Sequence, residues 1–136
     1  MKMMGIDLGQ ARTGVCVSDL SGFLAGRSIT IPEHNRQRLL AAICREIEAE
    51  KPERIVLGLP LNMNGTEGPK AAECRAFAAQ LQEACGLEVV LWDERRSSIE
   101  AHAILHAAGK KEKQHRKTVD AVAASLILEG YLGSLK

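Results

Sequence analysis

At 136 residues and 14.7 kDa the chain is long enough for one domain with a single core and too short for a bilobal enzyme. With 46% hydrophobic and 26% charged residues and only four prolines, the composition is that of a folding globular chain rather than a disordered or fibrous one. The formal charge of +1 hides an asymmetry, because residues 1–108 carry 12 Lys and Arg against 14 Asp and Glu whereas residues 109–136 carry six against three; the four aromatic residues argue against a surface that stacks successive bases.

Three extended segments open the chain: MMGIDL at 3–8, TGVCVSD at 13–19 and FLAGRSITI at 23–31. The short Leu20-Ser21-Gly22 link predicts that the second and third pair as an antiparallel hairpin. After Pro32, Leu39, Leu40, Ile43 and Ile47 recur at helical spacing, which predicts an amphipathic helix over 35–50 that ends before Pro52. RIVLGLP at 54–60 reads as a strand covered on both faces. The helix that follows has a buried stripe of Ala71, Cys74, Ala78, Leu81 and Cys85, with Gly86 past its end as a cap. EVVLWDE at 88–94 reads as a second buried strand, a helix runs from about Ser98 to Ala108, and a last helix spans Thr118 to about Tyr131.

A meander followed by two strand-helix alternations predicts an α/β domain, a mixed sheet with later strands parallel and helices on both faces. The eighteen alanines suit helices lying close to a sheet. Cys16, Cys44, Cys74 and Cys85 include no CxxC pair, so they read as reduced thiols rather than a zinc ribbon or disulfide framework. Asp7 interrupts any apolar targeting core in MKMMGID, and IVLGLPL at 55–61 is too short to cross a bilayer, so the expectation is a cytoplasmic chain without a membrane partner.

Three acids attract attention. Asp7 closes an apolar strand, where a carboxylate is costly unless it accepts hydrogen bonds from the following loop or binds a cation. Glu94 ends the second parallel strand beside Asp93 and ahead of Arg95 and Arg96; pairing with Arg95 is its ordinary reading. Asp120 falls in the first turn of the last helix, where it suits the helix dipole without any further role, and the small VAA stretch at 122–124 would bring it close to the sheet. Sites in open α/β sheets form beyond the carboxyl ends of the strands. Three carboxylates gathered there would repel unless a divalent cation such as Mg²⁺ or Mn²⁺ held them, and two such ions about 3.5–4 Å apart can align the attacking water and leaving oxygen of a phosphodiester.

The surrounding residues offer phosphate contacts. The run GKKEKQHRK at 109–117 sets Lys110, Lys111, Lys113, Arg116 and Lys117 against the single acid Glu112, a basic patch or else a solvated linker. In LNMNGTEGPK at 61–70, Asn62, Asn64 and Thr66 precede a helix start whose N–H groups could hold a phosphate, although the loop has no P-loop pattern. His102 and His106 have the i, i+4 spacing of a metal pair, but the apolar stripe Ala101, Ile104, Leu105 and Ala108 leaves both on the wetter side of their helix with no Cys or His partner nearby in sequence.

Taken together, GIDLGQARTGVCVSD (5–19), VLGLPLNMNGTEGP (56–69), WDERRSSIEA (92–101) and KTVDAVAASLILEGYL (117–132) closely resemble the YqgF family, in order and over nearly the whole chain. The resemblance implies a Holliday-junction-resolvase-like, RNase H-like fold: one nuclease domain over 1–136 with a five-stranded mixed sheet in order 3-2-1-4-5, the first three strands antiparallel. It implies a metal-dependent endonuclease that processes the 5′ end of precursor 16S rRNA, with Asp7, Glu94 and Asp120 as catalytic residues and as ligands of Mg²⁺ or Mn²⁺. Arg12 matches the family's loop arginine; Arg12, Asn62, Asn64, Arg95 and the five cations of the basic run are the candidate nucleic-acid contacts.

Alternatives stand beside this reading. One is resolution of branched DNA and another a non-cleaving nucleic-acid-binding accessory factor; a homodimer is compatible with any of them. GIDLG is also similar to actin-like and sugar-kinase ATPases, which need a second lobe. Asp93 and Glu94, adjacent in a strand, point to opposite faces, so strand parity decides which is the ligand, with Glu94 favoured. Beyond DER the family is usually Leu- and Thr-rich, whereas Arg96, Ser97 and Ser98 stand here.

Overall fold

The computed structural model describes residues 2–18, 25–62, 64–93 and 124–132. In chain order these form β1 (Met3–Asp7), β2 (Arg12–Ser18), β3 (Ala25–Pro32), α1 (Arg36–Glu50), β4 (Arg54–Leu59), α2 (Pro69–Cys85) and β5 (Val89–Asp93), followed by helix at 124–132. The five strands make one sheet in the order β3-β2-β1-β4-β5. β1 and β2 pair antiparallel, as do β2 and β3, whereas β4 runs parallel to both β1 and β5. The strand order that the family resemblance implies is therefore the one observed, as are the antiparallel hairpin and the parallel later strands expected from the residues.

Strand alternation sorts the side chains onto two faces. Met4 and Ile6 of β1, Val15 and Val17 of β2, and Ile55, Leu57 and Leu59 of β4 join Leu39, Ile43 and Ile47 of α1 and Ala71, Cys74, Phe77, Ala78 and Leu81 of α2 in one core. Met3, Cys16 and Val56 face the other way, against Ala124, Ile127, Leu128, Tyr131 and Leu132. β4 is thus covered on both sides, as its unbroken apolar run requires. β5 differs from expectation: Val89 to Trp92 are half-buried, and among the described residues β5 stands at the end of the sheet order, paired with β4. Phe77 belongs to the buried stripe of α2, and Cys85 lies at its margin.

The helix ends follow local chemistry. Asn35 caps α1 by accepting from the Arg38 N–H at 3.0 Å, and Lys51 closes it in the left-handed region at φ 52°. α2 starts with Pro69 after Gly68, and Gly86 ends it at φ 73° with its N–H donating to the Gln82 carbonyl. At the sheet end that holds the start of β4, Arg54 donates to the Tyr131 hydroxyl at 2.7 Å and pairs with Glu88 at 3.4 Å, fastening the 124–132 helix there. That leaves the opposite end, where β1 and β4 deliver their carboxyl termini, as the place for a site.

Candidate active site

Asp7 is the last residue of the central strand β1 and sits half-buried opposite Gly14 of β2. Its face is fixed by its own strand. A Cβ built on Gly5 would come within 2.8 Å of the Leu128 Cβ and 2.9 Å of the Ala124 carbonyl oxygen, so the odd-numbered positions of β1 face the 124–132 helix. Asp7 shares that parity, two residues further toward the carboxyl end. Gly14 of β2 and Gly58 of β4, the latter paired with Trp92, have the same parity, so Asp7 stands in a part of the sheet with few side chains of its own.

The turn after Asp7 is tightly closed. Any Cβ on Gly9 would fall 1.9 Å from the Arg12 carbonyl oxygen, a distance no side chain tolerates. The Gly9 N–H donates to the hydroxyl of the fully buried Thr13 at 3.3 Å, and the Gly9 carbonyl accepts from Arg36 Nη1 at 2.7 Å. The other terminal nitrogen of Arg36 lies 3.5 Å from Glu73 of α2. Between this turn and the first turns of α1 and α2 lies a cleft of about 190 Å³ whose walls include Asp7, Gln10, Arg36, Lys70 and Glu73. Arg12 opens β2 at the far side of the turn, half-buried and in register with Pro32.

Asp93 has the opposite parity. Val89 and Leu91 pack toward α1 and α2, Val90 and Trp92 toward the 124–132 helix, so Asp93 belongs with the first pair and lies on the face that Asp7 does not share. The loop 61–68 is a small closed unit. Leu61 bridges Glu67, Asn62 Nδ2 donates to the Thr66 hydroxyl at 3.0 Å, and Asn64 Oδ1 accepts from both the N–H and the hydroxyl of Thr66. Asn62 and Asn64 therefore shape the loop with the polar groups proposed for phosphate. Arg75 grips Glu67 through two hydrogen bonds, 2.6 and 2.5 Å long, and this holds the Glu67 carboxyl below its usual range.

Glu94, Arg95, Lys110, Lys111, Lys113, Arg116, Lys117 and Asp120 lie outside the described residues, as do His102 and His106. Among the described residues no three His, Cys, Asp or Glu side chains gather as a metal site. The structure adds Arg36, Lys70 and Glu73, which the sequence reading passed over. Arg36 left one signal: a cation in the first turn of a helix opposes the helix dipole, and such a placement asks for a tertiary partner.

Residues 1–134 match the RuvX family, described as a Holliday junction resolvase. The chain belongs to the RuvX family. Proteins of Syntrophomonas wolfei and Anaeromyxobacter dehalogenans named "Putative pre-16S rRNA nuclease" are 46% and 43% identical to it, over 99% of the chain and 97% of the first relative, and over 97% and 96% for the second. The Thermus thermophilus RuvC structure in complex with a Holliday junction substrate superposes with a TM-score of 0.64 over 98% of this chain and 97% of that one, at 14% identity, which shows the shared resolvase fold. No helix among the described residues of this RuvX-family chain is long and apolar enough to cross a membrane.

Proposed function

We propose that this RuvX-family chain is a divalent-metal-dependent endonuclease that hydrolyses phosphodiester bonds at the 5′ end of precursor 16S rRNA. The observation that carries the site is the position of Asp7, at the carboxyl end of the central strand and on the face closed by the 124–132 helix. In sequence, Asp120 lies four residues before that helical stretch and Glu94 directly follows β5, the strand next to β4 in the sheet order. Family membership and the names of its relatives support the nuclease reading and the RNA substrate.

Asp7 is a hard oxygen donor of the kind Mg²⁺ and Mn²⁺ take, and it would hold the ion together with Glu94 and Asp120. The ion would supply Lewis acidity at the scissile phosphate. Asp7 itself orients through its strand position, since β-pairing on both sides of β1 fixes its backbone. Arg12 at the far end of the turn, Arg95 and the basic run would neutralise neighbouring phosphates, a contact that gives affinity and register without sequence choice.

The test compares wild type with Asp7→Asn on a precursor 16S rRNA fragment and on a four-way DNA junction, each with Mg²⁺ or Mn²⁺ added or chelated. Metal-dependent cleavage of the RNA by wild type alone is the expected result. Undiminished cleavage by Asp7→Asn would remove Asp7 from the site. Preference for the junction would favour the second reading, resolution of branched DNA, which the likeness to the junction-bound RuvC fold motivates.

A further inference from the structure

We infer that Arg36 is a positioning residue for the cleavage reaction, tying the turn that links Asp7 to Arg12 onto the first turns of α1 and α2. The inference rests on the reading of Asp7 as a catalytic carboxylate.

Arg36 occupies the first turn of α1, directly after the Asn35 cap, where the positive end of the helix dipole disfavours a cation. What offsets that placement is tertiary. One terminal nitrogen donates to the Gly9 carbonyl, 27 positions earlier in the chain, over a short 2.7 Å, and the other lies 3.5 Å from Glu73 of α2. A single guanidinium thus joins three elements around the cleft beside Asp7. Its fork geometry allows it to serve two acceptors in different directions, which an ammonium serves less well.

The Gly9 turn depends on ties of this kind. Its contact with the Thr13 hydroxyl is long at 3.3 Å, whereas the bond from Arg36 is short and charge-assisted. The turn is also too closely packed on the Arg12 carbonyl to carry a side chain, so any relaxation moves it as a unit. Its two ends are the proposed metal-binding carboxylate and a proposed phosphate contact. Displacement of such groups by about 1 Å suffices for a hundredfold loss of rate. Arg36 is one-third exposed at the rim of the core, so its loss acts on the turn more than on folding.

The test uses the full chain with Arg36→Gln, Arg36→Lys and Asp7→Asn, on whichever substrate wild type cleaves. Arg36→Gln is expected to lower kcat roughly tenfold to a hundredfold with KM changed by less than about twofold, and Arg36→Lys to recover part of that loss. Hydrogen exchange at the amides of Gly9, Gln10 and Ala11 should quicken in Arg36→Gln while the exchange of β4 stays as in wild type. Unchanged kcat in Arg36→Gln, or unchanged exchange in the turn, overturns the inference. Active Asp7→Asn with slow Arg36→Gln overturns the Asp7 reading, and with it the role assigned here; inactive Asp7→Asn with fully active Arg36→Gln overturns the Arg36 role alone.

Discussion

The two faces of the sheet are closed by different means. On the side of α1 and α2, branched and aromatic side chains interlock: Leu39, Ile43, Ile55, Leu57 and Leu81 are all fully buried. Each such side chain contributes about 1.5–3 kcal/mol of burial. On the other side the 124–132 helix comes down onto a strand with no side chain at the contact point, Ala124 and Leu128 meeting Gly5 directly. The second face also buries Met3, Val56, Ile127 and Leu128, but at Gly5 it leaves no room for a side chain, with the Ala124 carbonyl oxygen 2.9 Å from where a Cβ would stand. Asp7 shares the parity of Gly5 and stands two residues beyond that close contact, toward the carboxyl end of β1.

This contrast can be broken at several points, beginning with chemistry. Asp7→Asn should lower cleavage by more than the roughly 10–100-fold typical of losing an outer-shell partner of a metal site, while the thermal melting curve stays where it was. Ile43→Ala, in the face packed by side chains, is expected to cost about 2–5 kcal/mol in urea unfolding, with kcat preserved at temperatures where the protein stays folded. Gly5→Ala should cost about 1–3 kcal/mol by overpacking, yet reduce kcat more than Ile43→Ala does, since it lifts the helix off the face that Asp7 occupies. Equal kcat for these two variants would show that the faces do not differ in the way described.

The smallest effect concerns the surface pair Glu67–Arg75, remote from that contact. Arg75 lowers the Glu67 pKa in the folded chain from its ordinary 4.5. A depressed carboxyl stabilises the fold above its unfolded-state value and loses that contribution as pH falls through the folded one. The difference in melting temperature between wild type and Glu67→Gln should therefore be present near pH 7 and close as the pH is taken below 4.5.

Much of this architecture is legible in the residues. The unbroken apolar run 54–60 specifies a strand covered twice, Pro32 and Pro52 bracket α1, and the alanines before Leu128 forecast a helix close to the sheet. Periodicity is weaker at the margins. β5 has an apolar run like that of β4 but is only half-buried, because hydrophobicity records what a strand can face and not its place in the sheet order, where β5 stands at the end among the described residues. The parity of Asp93 could not be read until Val89 to Trp92 were sorted between the faces. Arg36 was invisible for another reason: its partners, Gly9 and Glu73, are distant in sequence, and one of them is a backbone carbonyl that every residue possesses.

Trp92, the sole indole of the chain, packs over Gly130 with its Nε1 3.1 Å from where a Cβ would stand, and meets Tyr131 edge-on at 5.9 Å between ring centres. It thereby connects the last strand to the 124–132 helix one residue before Asp93. The molecule carries its own optical gauge of that joint: intrinsic fluorescence excited at the indole band reports, without any label, whether helix and strand stay docked as metal or nucleic acid is added.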